Sequence, residues 1–224
     1  MTKAQWDEVH AWAITNGYTF DNAGQGRGAN HPVHTVNWYD CVKWCNARSE
    51  KEGLRPIYYY MDGGSQVYRT GRRDLVNVSI VPGEPGYALP TEAQWEYAAR
   101  GGISGRRYPW GGDIQHTRAN YYSRTNEWYD TSLTRGYHPD YFVPASASTS
   151  PAGTFDADGY GLHDVVGNVV EWCFDRFSDL TYERVQKGGC WADNASLCRL
   201  GEQQRNLPTI AHGTIGFRVV LFPL

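Results

Sequence analysis

The most reactive side chains in this sequence are five cysteines, Cys41, Cys45, Cys173, Cys190 and Cys198. A thiolate is both a nucleophile and a soft metal ligand, so spacing decides which chemistry is open to it. Cys41 and Cys45 stand at i and i+4, on one side of a helix, where a third ligand could complete a metal site. The expected alternative is two small residues facing the core. Cys190 and Cys198, the candidate catalytic residues, share one polar stretch. They could form a thiol pair, or be two separately buried and inert thiols, since free cysteine is among the most buried residue types. No H-x-x-x-H or C-x-x-C string supports zinc.

Around these two cysteines, Trp191 to Thr214 carries Trp191, Asp193, Asn194, Arg199, Glu202, Gln203, Gln204, Arg205, Asn206 and His212. Such a mix suits hydrogen-bonded recognition of a peptide, a protein or a small polar, glycan-like ligand. The plainer reading is a solvated loop. His212 is one of seven histidines and has no evident partner for general-base work.

Composition limits the remaining classes. A chain of 224 residues suits one large domain and is long enough to bury a core without disulfides. Nine Trp and sixteen Tyr against two Met, with 25 Gly, suggest a loop-rich fold pinned by large rings. Net charge is −3 with no Lys/Arg run, which argues against nucleic acid as partner. No apolar stretch approaches membrane-spanning length, so no membrane partner is expected. The N-terminus has no signal-peptide character and the cysteines are odd in number, so a reducing, cytoplasmic location is favoured.

The elements that must position these groups read as follows. Gln5 to Asn16 is a helix with Trp6, Val9 and Ala13 on one face and Gly17 as its stop. Asp21 to Pro32 is a Gly/Asn loop. Asn37 caps a second helix, with Asp40 as a variant capping box, Trp38, Val42 and Cys45 inward, and an end at Gly53. Short strands at 57–60 and 66–69 flank a turn at Asp62-Gly63-Gly64. Tyr87 to Leu89 leads into a third helix. Thr91 caps it, Gln94 completes a T-x-x-Q box, Trp95, Ala98 and Ala99 face inward, and Gly101-Gly102 ends it. From 102 to 159 neither period is present, so that stretch should be functional or ion-stabilised rather than slack. Strands return at 185–191 and 216–221. With no repeat or linker, this is one α+β domain.

Several strings, in order, resemble the formylglycine-generating enzyme or sulfatase-modifying factor family. They are His31-Pro32-Val33 leading to Trp38-Tyr39-Asp40 and Trp44-Cys45-Asn46; Leu89 through Gly102; Tyr108-Pro109-Trp110-Gly111; Gly159-Tyr160-Gly161-Leu162; Gly167 through Trp172; Gly188-Gly189; and Gly216-Phe217-Arg218. The resemblance spans nearly the whole chain, 1–224. It implies a single-domain, C-type-lectin-like α+β fold with short strands, three main helices, much irregular structure and bound calcium. Thr2 to Trp6 resembles the family's V-T-x-x-Q-W motif, and the Gly-rich strand that precedes that motif in the family is missing here.

Enzymes of that family carry a G-G-S-Y-x-C-x-x-x-Y-C run whose two thiolates hold Cu(I). Counted from Gly188-Gly189, the first cysteine position holds Asp193, the second Cys198, the tyrosine position Leu197 and the serine position Cys190. Counted back from Pro208 and Gly216-Phe217-Arg218, this chain is a few residues shorter, and Cys198 falls beside the family's arginine, here Arg199. By both counts the pair is missing. A carboxylate is a hard ligand and a poor holder of Cu(I), so copper is not the expected cofactor and ordinary formylglycine formation is not the expected activity.

Calcium is the cofactor the resemblance implies. Asp164, Gly167, Val169 and Glu171 fall on one family calcium motif, with carboxylates from the first and last and main-chain oxygens from the middle two, a set that suits Ca²⁺. The alternative is that Glu171 caps local amides and Asp164 makes an Asx turn. A second family site would use Asn120 and the Tyr121 carbonyl, with further ligands near Asp130. In this family Trp191 to Thr214 is the active-site or ligand face. The expected function is therefore a calcium-stabilised binding scaffold or an atypical modifying enzyme. One alternative is the variable protein of a diversity-generating retroelement. Glu202, Gln203 and Gln204 weaken it, because adenine mutation of AAY codons cannot produce them. The other is a copper oxidase with a displaced Cys190/Cys198 site.

Overall fold

The computed structural model of the chain describes residues 1–60, 66–75 and 84–222. Helices α1 (Lys3–Thr15), α2 (Trp38–Lys51) and α3 (Glu92–Ala99) all open on one device. The side chains of Thr2, Asn37 and Thr91 accept from the amides of Gln5, Asp40 and Gln94, and those three side chains reach back to the cap amide. Each box satisfies two donors that a helix start leaves free. α1 begins before the expected Gln5 because Thr2 to Gln5 is the same T-x-x-Q string as Thr91 to Gln94.

α1 meets α2 through Trp6 and Trp44, whose rings stack at 6.0 Å, with Phe217 edge-on to both at 5.8 and 5.4 Å. The polar tips of these rings are satisfied by carbonyls. Trp6 donates to Ala23, Trp38 to Cys173, Trp44 to Trp6 and Trp172 to Val36. Bulky rings thereby tie distant loops to the core. Cys41 and Cys45 are fully buried in this cluster. Among the described residues no three His, Cys, Asp or Glu side chains gather as a metal site.

β1 (Tyr59–Tyr60) and β2 (Gln66–Val67) pair antiparallel; the turn expected between them, Asp62 to Gly64, lies outside the described residues. β3 (Gly86–Ala88) pairs with β8 (Val220–Phe222), a strand where a run-in to α3 was expected. The main sheet runs β6 (Gln204–Asn206), β5 (Arg184–Lys187), β4 (Val170–Arg176), β7 (Ile215–Phe217), with β4 and β7 parallel. The sequence reading did not find β4 because its first five residues are all buried, so no alternation marks it. The single expected strand at 216–221 is two, interrupted where Arg218 turns to Glu171.

Between α3 and β4 there is no helix and no strand, only isolated bridges such as Ile114 with Asp130 and Asn120 with Gly167. Gly167 takes φ +74°, and a Cβ there would stand 2.2 Å from the Asn120 carbonyl oxygen. That close approach seats the long stretch against the start of β4.

Candidate functional site

The C-terminal polar segment leaves the main sheet at Gly188-Gly189. Gly189 has φ +69°, and a Cβ there would lie 2.5 Å from Cys198 Sγ. Only glycine lets the chain pass over that thiol. The next turn is closed by Asp193, whose Oδ2 accepts from the Cys190 amide at 3.1 Å and from Gln204 Nε2 at 3.1 Å. Its carbonyl accepts from the Tyr122 amide at 2.8 Å. Asp193 thus pins the turn to β6 on one side and to the long stretch on the other. Cys190 and Cys198 are buried free thiols. Burial pushes both well above the ordinary cysteine value, the nearby Asp193 charge adds to this, and Cys190 acts on Cys198 as well. Burial thus holds both as thiols at neutral pH, which disfavours nucleophilic attack by either sulfur.

Beside this turn the surface carries an aromatic platform. Trp191 lies 5.8 Å from Tyr137, Tyr137 stacks on Phe142 at 4.5 Å, and Tyr122 stands edge-on to Tyr137 at 4.8 Å. Trp191 is oriented by donating Nε1 to the Gly213 carbonyl at 3.2 Å. Tyr137 and Phe142 are both exposed. Flat rings with exposed faces suit stacking on a sugar ring or a peptide side chain. Sequence reasoning found Trp191 and missed the other three, which sit in a stretch with no period.

The structure divides the remaining predicted ligand residues. Asp193 and Gln204 meet. Asn194 turns inward on its own loop, its Oδ1 accepting from the amides of Ser196 and Leu197. Gln203 donates to Glu92 at 2.6 Å. Arg205 points away from Gln204, over the Phe177 ring at 4.2 Å. Asn206 Oδ1 accepts from the Leu207 amide, and His212 is exposed beside Thr214 Oγ1 at 2.8 Å. Arg199 binds Glu202 at 2.7 Å, away from the aromatic platform's contacts.

The two calcium motifs differ in fit. Asp164, Val169 and Glu171 line a cavity of about 310 Å³ with Asn168 and Arg218. Asp164 takes the left-handed region at φ 55°, and burial raises its pKa. Its Oδ2 accepts from the Gly153 amide at 2.6 Å, while its Oδ1 is buried without a partner. The orphaned Asp164 oxygen fits a hard cation, whereas both Glu171 oxygens are already taken by Arg218 and Gly167 does not line the cavity. Glu171 is also bound by Arg218, Nη2 to Oε1 at 2.9 Å, and by Trp95 Nε1 at 2.6 Å.

The second motif does not fit. Asn120 Nδ2 donates to Ser148 at 2.8 Å, and the Tyr121 carbonyl accepts from His116 Nε2 at 3.1 Å. Asp130 is filled by the Tyr121 hydroxyl, Ser123 Oγ and the amides of Arg124 and Ser132. The Arg135 guanidinium completes it, 3.1 Å from Asp130 Oδ1 and donating to Ser123 Oγ and the Arg124 and Asp130 carbonyls. A guanidinium stands there as the cation.

Comparison with known proteins matches residues 1–222 to the sulfatase-modifying factor enzyme 1-like domain. A chaperone protein LppX from Paenibacillus barcinonensis is 30% identical over 210 residues, 89% of this chain and 70% of the relative. A formylglycine-generating enzyme from Streptomyces coelicolor is 36% identical over 151 residues, 59% of this chain. A serine/threonine-protein kinase pkn1 from Chlamydia pneumoniae is 34% identical over 218 residues, 84% of this chain. The match covers 46% of that enzyme and 31% of that kinase, so this chain spans less than half of either. Among solved structures, CarF superposes with TM-score 0.77 at 29% identity over 100% of this chain and 83% of CarF. Treponema denticola variable protein 1 does so with TM-score 0.66 at 26% identity, over 98% and 81%. With three helices and small sheets, the shared architecture is the C-type-lectin-like α+β class.

Proposed function

The chain belongs to the sulfatase-modifying factor enzyme 1-like family, and on that premise we propose that it is a ligand-binding member, steadied by calcium, rather than a copper-dependent formylglycine-generating oxidase. The observation that carries this reading is Asp193. Where the resemblance calls for a copper-binding thiolate, this carboxylate is committed to the Cys190 amide and to Gln204, as a structural staple. Cys198 beside it is buried and protonated. A carboxylate is a hard ligand, and Cys198 alone is not the paired soft site that Cu(I) needs.

What remains is a recognition surface. The rings of Trp191, Tyr122, Tyr137 and Phe142 give area, and the Asp193–Gln204 turn next to them gives donors and acceptors. Two or three rigid rings with a few fixed polar groups are a common basis for binding a sugar or a short peptide. Calcium supports the reading through the orphaned Asp164 oxygen. Asp164 Oδ1 and the Val169 carbonyl would hold the ion, with Glu171 joining once Arg218 releases an oxygen, and it would tie the end of the long stretch to β4.

A glycan and peptide array probed with the purified chain tests the binding reading. Binding should fall about tenfold or more in Trp191→Ala and in Tyr137→Ala, with melting temperature unchanged, since truncating a central aromatic anchor removes one to several kcal/mol. Array binders that are indifferent to both substitutions would contradict it.

A second reading, a diversified variable protein, is favoured by the likeness to Treponema denticola variable protein 1. Glu202, Gln203 and Gln204 count against it. Sequencing the gene's neighbourhood for a reverse transcriptase and a template repeat separates the two.

A further inference from the structure

Away from the aromatic platform, the end of α3, the loop after it and the C-terminal segment enclose an arginine-lined cleft of about 400 Å³, with Arg100, Arg106, Arg107 and Arg199 on its walls and one carboxylate, Glu202. A second cleft of about 480 Å³ continues from it, sharing Arg106 and Arg107 and ending at Trp110. Arg100 and Arg199 are paired with carboxylates while Arg106 and Arg107 have no ion pair among the described residues, so the cleft is locally positive in a chain that carries −3.

Three of the four are held in fixed poses. Arg100 is bound to Glu96 at 2.6 Å, a carboxylate it shares with the buried Lys187. Arg199 is bound to Glu202 at 2.7 Å and to the Ser196 carbonyl at 2.8 Å. Arg107 lies over the rings of Trp128 and Tyr129, at 4.8 and 4.9 Å, and donates to the Gly112 carbonyl. Arg106 is exposed, and its side chain makes no hydrogen bond or ion pair among the described residues. Pre-oriented guanidiniums keep N–H groups free for bidentate contact with carboxylates at low entropic cost. The wall between them is glycine backbone at Gly105, Gly111 and Gly112, where a ligand's main chain can come close.

We propose that these joined clefts bind an acidic peptide segment, its carboxylates on Arg106, Arg107 and Arg199 and its main chain along the glycine wall. Two clefts in line exceed the size of a single oxyanion, which favours an extended ligand. The proposal rests on the reading of this domain as a ligand-binding one, and it names the charge class of the ligand. Arg199 and Glu202, which the sequence assigned to the ligand face, belong to this cleft. Arg100, Arg106 and Arg107 carried no sequence signal.

The test is fluorescence anisotropy with a labelled oligoglutamate peptide on the full chain, against an uncharged Gly/Ser peptide and a sulfated oligosaccharide. Oligoglutamate should bind, weaken with added salt, and lose about tenfold in affinity in Arg106→Gln and more in Arg106→Gln/Arg107→Gln. Arg106 is exposed, so its substitution should leave the melting temperature unchanged, and this keeps loss of binding separate from loss of fold. No binding of oligoglutamate, or binding indifferent to both variants, overturns the proposal. Tighter, Arg106-dependent binding of the sulfated oligosaccharide overturns it as well and assigns the cleft to an anionic glycan. If array ligands depend on Trp191 while oligoglutamate does not bind, the binding reading stands and this proposal falls. If neither probe binds anywhere, both fall.

Discussion

At the scale of single residues, burial decides which titratable groups can act. Cys190 and Cys198 have the right element and the wrong protonation state. His34 illustrates the same physics with a measurable consequence. It is 5% exposed, and its pKa is lowered from 6.5 to about 4 by burial, with positive charge from His212, His31 and Lys3 adding. Between those two values the unfolded chain takes up a proton that the folded chain refuses. Stability is therefore full above the unfolded value and falls as pH drops toward the folded one, by up to about 3 kcal/mol. Urea midpoints measured at neutral pH and near pH 4.5 should converge in His34→Gln more than in the parent. His31, His116 and His138, also lowered by burial, leave a residual slope. An unchanged slope in the variant would contradict this account of His34.

At the scale of elements, the question is what holds a long aperiodic stretch in one shape. One answer lies in the structure and the other is proposed. Near Asp130 the cation is part of the chain. Arg135→Gln would leave a fully buried carboxylate without its counter-charge, and should cost about 2 kcal/mol, less than for a fully buried pair because Arg135 is 42% exposed. Added calcium should not restore the loss; unchanged melting, or rescue by calcium, would contradict it. Near Asp164 the proposed answer is an ion from solution at the orphaned oxygen. Calcium at a hundredfold excess over its dissociation constant should then stabilise by about 2.7 kcal/mol, read as a drop in melting temperature on chelation. Asp164→Asn should abolish the response; equal melting of the parent with and without chelator would end the calcium reading. The same contrast explains what the sequence made legible. The caps at Asn37 and Thr91 are local strings, so α2 and α3 were readable. β4 was hidden by uniform burial, and β3 by a partner, β8, more than a hundred residues away. Trp191 lay in a recognisable segment, whereas Tyr122, Tyr137 and Phe142 join it only through loops with no period. The arginine cleft likewise assembles from α3, a loop and the C-terminal segment.

At the scale of the whole molecule, family membership fixes the scaffold and leaves its use to one turn. Gly189 passes over the Cys198 thiol, and Asp193 staples the turn to β6 and to the long stretch. Among the described residues no helix is long and apolar enough to cross a membrane. The central proposal is that this turn serves recognition rather than copper-dependent oxidation. Its most direct test is mass spectrometry of a C-x-P-x-R peptide incubated aerobically with the copper-supplied chain. The account predicts that the cysteine survives unchanged. Conversion of that cysteine to the aldehyde, lost in Cys198→Ser, would contradict it and make Cys190 and Cys198 a displaced copper pair.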